Sequence, residues 1–173
     1  MNKSSTFTLS ILVNFLFVSS AFGQEMTNPK FNKVVSSLVS KSEAPTIDIN
    51  EFKSVLAKNN VLVLDAREKE EFEISHIKNA INIGYDNFDL EKVSKKLDKT
   101  KPIIIYCSVG YRSGQLAEKL IEKGFKVKNL YGGIFEWKNQ GNDVFDKSSN
   151  KTQRVHTYNK KWSKWLKLGE AVY

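Results

Sequence analysis

The sequence predicts an α/β fold in which helices cover a parallel sheet. Apolar runs of strand length recur along the chain, segments with helical repeats of apolar residues separate them, and the two kinds of segment alternate five times. In sheets of this kind, ligands bind beyond the carboxyl ends of the strands. Polar residues that directly follow a strand are therefore the first candidates for a functional site.

Five segments have the composition of strands. Residues 46–49 alternate between polar and apolar side chains, whereas residues 61–64 form a continuous apolar run, as expected for a strand buried on both faces. The other three strands are predicted at residues 80–83, 103–106 and 126–130.

Five helices are predicted between and after these strands. They are a helix after the cap Asn50, a short acidic helix at 68–73, a helix from the cap Asp86 or Asn87 to Leu97, a helix at 113–125, and a helix from Ile134 to its end at Gly141. In the acidic helix, Phe72 is the residue predicted to face inward. Residues 24–45 are polar and predict a linker, with a possible short helix at 31–39.

The first 23 residues have the pattern of a secretory signal peptide. Lys3 supplies a positive charge, residues 7–18 are mostly apolar, and small residues precede a cleavage point between Gly23 and Gln24. The alternative is a membrane anchor, but a spanning helix needs about 20 apolar residues and this run is shorter. The sequence therefore predicts an exported protein, periplasmic or secreted.

Positive charge is concentrated at the other end of the chain. The net charge is +8, and residues 147–173 carry 7 Lys or Arg against 1 Glu, so residues 46–146, the predicted domain, contribute little to it. Nucleic-acid binding by the domain is not indicated. In the tail, Trp162, Trp165 and Leu166 have helical spacing among lysines, which predicts a helix that docks its aromatic face on the domain. The alternative is an amphipathic element that binds an anionic membrane surface or an acidic partner.

Cys107 is the only cysteine of the 173 residues, and it follows the strand at 103–106. The loop that it opens ends at the start of a helix, where unpaired N–H groups and the helix dipole attract anions. Gly110 allows a tight turn, and Arg112 is a permanent cation that can bind an oxyanion through two hydrogen bonds. Both the helix start and the arginine favour the reactive thiolate form of the cysteine.

Several motifs, in order along the chain, resemble those of the rhodanese family. They are Leu64-Asp65-Ala66-Arg67, Glu71-Phe72, His76-Ile77, Ala80-Ile81-Asn82-Ile83, the loop Cys107-Ser108-Val109-Gly110-Tyr111-Arg112-Ser113, and Tyr131-Gly132-Gly133 with Trp137. Ser75 and Asn79 depart from this pattern, because the family usually has glycine at both positions. The resemblance covers residues 46–141 and implies one module, with a parallel five-stranded sheet flanked by helices on both faces.

The resemblance implies sulfur transfer from thiosulfate or a similar donor, through a persulfide on Cys107, to a thiol or cyanide acceptor or to a protein acceptor. Arg112 would orient the donor, and the hydroxyl or backbone groups of the remaining loop residues would bind substrate; these are Ser108, Val109, Gly110, Tyr111 and Ser113. Asp65 and Arg67 would support the strand ends, with Glu71 a candidate partner of Arg67, and His76 would be structural. Neither a metal nor a cofactor is implied.

Two other function classes stay open. Related phosphatases and arsenate reductases have a loop one residue longer than the spacing from Cys107 to Arg112 in this chain, and a shorter loop suits a sulfur atom better than a phosphate group. A rhodanese-like domain can also be a binding module or a sulfur carrier without turnover, although such modules often lack the cysteine that is present here.

Overall fold

A parallel five-stranded sheet forms the centre of the protein, as the sequence predicts. The computed structural model describes residues 28–173, so the predicted signal peptide lies outside the described residues. The strands are β1 (Thr46–Ile47), β2 (Leu62–Asp65), β3 (Ile81–Asn82), β4 (Ile103–Tyr106) and β5 (Val127–Leu130), and their order across the sheet is β1-β5-β4-β2-β3. Every neighbouring pair is parallel, so the carboxyl ends of β2 and β4 lie side by side in the middle of the sheet.

Helices cover both faces of this sheet, which confirms the predicted architecture. The helices are α1 (Pro29–Val39), α2 (Ile49–Leu56), α3 (Lys69–Ile74), α4 (Leu90–Ser94), α5 (Tyr111–Glu122), α6 (Gly133–Asn139) and α7 (Lys160–Ser163). Side chains of β4 alternate between the two cores: Ile104 and Tyr106 pack with α1, α2 and α6, whereas Ile103 and Ile105 pack with α4 and α5. No helix among residues 28–173 is both long and apolar enough to cross a membrane.

Two helices are capped by different residues from those predicted. The first-turn N–H of Glu51 binds the carboxylate of Asp48 at 2.8 Å, so Asp48 rather than Asn50 caps α2. Asp89, rather than Asp86 or Asn87, caps α4, which ends at Ser94 and so before Leu97. In both cases several Asx residues stand close together, and local sequence does not say which of them adopts the extended backbone that a cap requires.

The residue that faces inward in α3 is also different. Glu71 is 3% exposed, whereas Phe72 is only partly buried and stacks on the ring of His76 with 4.0 Å between ring centroids. The apolar Phe72 was predicted to face the core because apolar residues usually do. Here a buried arginine partner, described below, stabilises the buried glutamate instead.

The C-terminal tail contains three short strands and one short helix in place of one long helix. Its elements are β7 (Lys151–Thr152), which pairs with β6 (Val144–Phe145) at the end of the domain, then β8 (Arg154–His156), α7 and β9 (Glu170–Val172), with β8 and β9 paired in parallel. The helix ends at Ser163 because Asn139 binds the backbone beyond it, at Trp165 O (2.9 Å) and Lys167 N (2.6 Å). Trp162, Trp165 and Leu166 pack against the core that contains α1 and α6.

Candidate active site

Cys107 lies where β4 meets the sheet's carboxyl edge, and its side chain is almost fully buried. The backbone N–H of Gly110 donates to Cys107 Sγ at 3.1 Å. Gly110 directly precedes α5 and has a left-handed backbone, with φ of 105°, which glycine adopts without strain. A residue with a side chain would bring its Cβ to 3.0 Å from Val39, so α1 closes the space behind the loop.

The loop is also held from α6. The N–H of Ile134 donates to Cys107 O at 2.9 Å, and the N–H of Phe135 donates to Ser108 O at 3.2 Å. Gly133 permits this contact, because a Cβ at that position would lie only 2.3 Å from Cys107 O. The glycine pair at 132–133 therefore places the start of α6 directly against the cysteine loop.

Asn129, on β5, supports the loop from the opposite side. Its amide donates to Gly110 O at 2.8 Å, and its carbonyl accepts from the hydroxyl of Ser113 at 2.7 Å. Both side chains are fully buried. Ser113 was predicted to bind substrate through its hydroxyl or its backbone; the hydroxyl is not available for this, because it donates to Asn129 inside the protein.

The sulfur loading of Cys107 that the family resemblance implies should slow by roughly tenfold or more in Asn129→Ala, because a displaced Gly110 would no longer aim its N–H at the sulfur. The free energy of unfolding should fall by about 1–3 kcal/mol, because buried groups lose their partners. Urea unfolding and the rate of sulfur uptake from thiosulfate measure the two effects. Asn82→Ala is the matched control, since Asn82 also binds backbone, at Arg67 O (2.7 Å), but does not touch the loop. Equal loading rates in the two variants would contradict the role of Asn129.

Arg112 is held by Glu71 in a two-point ion pair. Its Nη1 donates to one carboxylate oxygen at 2.6 Å and its Nη2 to the other at 2.9 Å, while Nη2 also donates to the Ser108 hydroxyl at 3.0 Å. Burial alone would raise the pKa of Glu71, but the hydrogen bonds and the positive charge of Arg112 outweigh it and hold that pKa below its ordinary value. Burial opposes the charge of Arg112 as well, and the pairing with Glu71 keeps its pKa above the ordinary value.

The predicted pair between Arg67 and Glu71 is wrong. Arg67 lies two residues beyond the end of β2, and its guanidinium folds back onto Asp65 (2.6 Å) and onto Ser75 O (2.6 Å). Asp65 and Arg67 are both fully buried, so they brace the ends of β2 and α3 and do not face the site.

Asn79, one of the two departures from the family pattern, has a φ of 62°, a conformation that asparagine tolerates better than most residues.

A pocket of about 310 Å³ opens beside the cysteine. Its wall includes five of the predicted loop residues: Cys107, Ser108, Val109, Tyr111 and Arg112. Neither Asp65, Arg67, Ser113 nor His76 lines it. Sequence pattern alone does not indicate that Glu71 pairs with Arg112, nor that Leu38, Thr157, Tyr158 and Trp162 contribute to the wall. Among the tail residues, only Tyr158 and Trp162 carry a sequence signal, which is their aromatic side chains.

His156, in β8, lies beside the ion pair. Its Nδ1 accepts from the N–H of Tyr158 at 3.1 Å and is 3.8 Å from Glu71 Oε1. Burial and the charges of Arg67 and Arg112 outweigh the attraction of Glu71 and hold the pKa of His156 below its ordinary value of 6.5.

The free energy of unfolding should therefore fall as the pH is lowered from 7 through about 6 to 5. The unfolded chain takes up a proton on His156 near pH 6.5, while the folded protein takes it up only at lower pH. For one group the slope is at most about 1.4 kcal/mol per pH unit. Urea unfolding at pH 7, 6 and 5 measures the free energy of unfolding. His156→Gln, which removes the titrating group, should make that free energy depend less on pH. Identical slopes in the two proteins would show that other groups cause it.

Comparison with known proteins identifies the family to which the central part of the chain is similar. Residues 48–140 match the family model of the rhodanese-like domain. The thiosulfate sulfurtransferase GlpE of Coxiella burnetii is 36% identical over 85 residues, which make up 49% of this chain and 78% of that protein. A rhodanese-related protein from Thermoplasma volcanium has the same fold, with a TM-score of 0.53 and 29% identity, over 58% of this chain and 96% of that one.

The same module occurs in larger proteins of other activity. A tRNA uridine(34) hydroxylase of Cytophaga hutchinsonii is 36% identical over 101 residues, which are 56% of this chain but 32% of that protein. The comparisons thus agree on the module, while the relatives that contain it differ in the reaction for which they are named.

Proposed function

Since the chain belongs to the family of rhodanese-like domains, we propose that it is a sulfurtransferase whose Cys107 carries the transferred sulfur. The observation that carries the proposal is the hydrogen bond of 3.1 Å from the Gly110 N–H to Cys107 Sγ, at the start of α5 and at the wall of a pocket. A donor aimed at the sulfur stabilises negative charge there, which both a thiolate and a persulfide require. The similarity to a thiosulfate sulfurtransferase supports the same reaction class.

The reaction has two steps. The thiolate of Cys107 attacks the outer sulfur of a donor such as thiosulfate, a new S–S bond forms, the S–S bond of the donor breaks, and sulfite leaves with the electron pair. An acceptor thiolate or cyanide then attacks the terminal sulfur, and the electron pair of the broken bond returns to Cys107 as a thiolate. Arg112 and the Ser108 hydroxyl stand at the pocket wall, where they can orient the oxygen atoms of the donor.

The length of the cysteine loop argues against a phosphatase. The loop from Cys107 to Arg112 is one residue shorter than in related phosphatases.

The test is to incubate the purified protein with thiosulfate and to measure the mass of the intact protein and of the peptide that contains Cys107. We expect a gain of one sulfur atom on that peptide and its loss, as thiocyanate, when cyanide is added. A protein that takes up no sulfur but hydrolyses an aryl phosphate would overturn the proposal. Rapid loading with negligible turnover on small acceptors would instead identify a sulfur carrier.

We propose further that the protein acts outside the cytoplasm, because residues 1–23 have the pattern of a signal peptide. The measurement is the N-terminal sequence of the protein recovered from fractionated cells. A protein outside the cytoplasm that begins at Gln24 agrees with export and cleavage, whereas one that retains Met1 in the cytoplasmic fraction would refute it.

A further inference from the structure

Part of the wall beside Cys107 comes from segments outside the region that matches the family. The match covers residues 48–140, whereas Leu38 belongs to α1, and Thr157, Tyr158 and Trp162 belong to the tail. These residues line the same pocket as Cys107 and Arg112. Part of the surroundings of the sulfur is thus built by segments that lie outside the family match.

The tail is firmly built into the protein. The N–H of Thr157 donates to Val172 O at 2.7 Å, which continues the pairing of β8 with β9. The ring of Trp165 stacks on that of Phe31 in α1, with 5.5 Å between the centroids. Asn159 caps α7 through the N–H groups of Lys161 (2.9 Å) and Trp162 (3.2 Å). A wall held by this many contacts has a defined shape, as a specificity pocket requires.

The pocket has room for an organic molecule. Its volume of about 310 Å³ is that of about ten water molecules at roughly 30 Å³ each, and it lies at the lower end of the range for small-molecule sites, which starts at about 300 Å³. Carbon-rich side chains occupy much of the wall: Leu38, Val109, Phe135, Tyr158 and Trp162. This surface gains free energy by covering an apolar group, which cyanide and thiosulfate do not have.

The charges around the pocket do not favour an anionic organic substituent. Glu71 compensates the cation of Arg112 at 2.6 Å, and the acidic residues Glu68 and Asp86 are among those that line the wall. Glu68 is fixed there, because its Oε1 accepts from the N–H groups of Tyr85 and Asp86 at 3.1 and 3.0 Å. A neutral substituent avoids repulsion by these carboxylates.

We propose that the wall formed by Leu38, Tyr158 and Trp162 selects the sulfur acceptor, and that this acceptor is a small organic thiol with an uncharged apolar substituent. The inference rests on the proposed sulfurtransfer. The acceptor thiol releases its proton to solvent, and its thiolate attacks the terminal sulfur of the Cys107 persulfide. A new S–S bond forms on the acceptor, the bond from Cys107 to that sulfur breaks, and its electron pair leaves Cys107 as a thiolate.

The test follows the discharge of the sulfur-loaded, full-length protein by two probe thiols, benzyl mercaptan and 2-mercaptoethanol. Both are uncharged and have similar acidity, so the difference in rate reports the apolar ring and not the nucleophilicity. We expect benzyl mercaptan to discharge the wild-type persulfide about tenfold faster or more, since burial of a few apolar carbons is worth at least that factor. Trp162→Ala should bring this ratio close to one by slowing benzyl mercaptan.

Tyr173→Ala is the matched control, because Tyr173 is an exposed aromatic residue of the tail that does not line the pocket, and it should keep the preference. If Trp162→Ala does not fold, Leu38→Ser tests the same wall from α1 and should also reduce the ratio. Equal rates for the two thiols in the wild type, or an unchanged preference in a folded wall variant, would overturn the inference. Discharge by a protein thiol only would overturn it too. Failure of thiosulfate to load Cys107 at all would instead remove the proposed function, and with it this inference.

Discussion

Cys107→Ser is expected to abolish sulfur loading and to lower the rate of sulfur transfer by at least about 10⁴-fold, as loss of a covalent nucleophile does. A serine hydroxyl is almost the same size as the thiol but is far less acidic and less nucleophilic. Cys107 is the only cysteine in the sequence, so no other thiol of the chain can substitute for it. Intact mass after incubation with thiosulfate and the rate of thiocyanate formation are the two measurements.

The fold should survive this substitution, because the hydroxyl can accept the Gly110 N–H as the sulfur does. Ser108→Ala is the control from the same loop. It removes the hydroxyl that bonds to Arg112 at 3.0 Å but keeps the nucleophile, so its rate should fall by about tenfold or less. Transfer at the wild-type rate by folded Cys107→Ser would show that the persulfide mechanism does not operate.

Glu71→Ala is expected to lower the free energy of unfolding by about 3–5 kcal/mol, because it leaves the largely buried cation of Arg112 without its partner. Glu71 is 3% exposed and binds both terminal nitrogens of Arg112, at 2.6 and 2.9 Å. Its carboxylate also accepts the backbone N–H of Glu68 at 3.1 Å, so the start of α3 loses a partner as well. Sulfur loading should slow, because the freed guanidinium no longer has one position at the pocket wall. Urea unfolding and the loading rate test both effects.

The same helix offers the control. Glu73 also carries a carboxylate and lies within 3.7 Å of a lysine, but both side chains are well exposed, so Glu73→Ala should change stability by less than about 1 kcal/mol. A double variant, Glu71→Met with Arg112→Met, separates the two roles of the pair. It should regain much of the lost stability, since an apolar pair needs no charge partner, while loading stays slow. If Glu71→Ala unfolds at the same urea concentration as Glu73→Ala, the buried pair does not contribute as described.

Local pattern was sufficient to predict the sheet and the nucleophilic loop. Residues 103–106, for example, form an apolar run of the right length for a buried strand. The helix predicted at 113–125 is also present, although α5 already begins at Tyr111, directly after Gly110. Ligands of parallel sheets bind beyond the carboxyl ends of the strands. Because Cys107 directly follows a predicted strand, its position at this edge also follows from the order of elements. What local pattern could not predict were contacts that join distant parts of the chain.

The contacts that local pattern did not predict join residues that are far apart in the sequence. Arg112 and Glu71 are 41 residues apart, and Asn129 is 19 residues from Gly110. The choice of Glu71, rather than Phe72, as the buried residue of α3 depends on a cation that only the packed loop supplies. Likewise, α7 ends at Ser163 because Asn139, far earlier in the chain, binds the backbone beyond it.

The sequence by itself determined the α/β architecture, the strand that carries Cys107 and the loop that leads from it to Arg112, because these depend on the periodicity and backbone preferences of neighbouring residues. Only the tertiary structure decided that Glu71 holds Arg112, that Asn129 orients Gly110, and that Leu38, Tyr158 and Trp162 share a pocket with the sulfur. The reason is physical: a buried charge or amide is stable only where a partner from another element satisfies it, and packing alone brings such partners together.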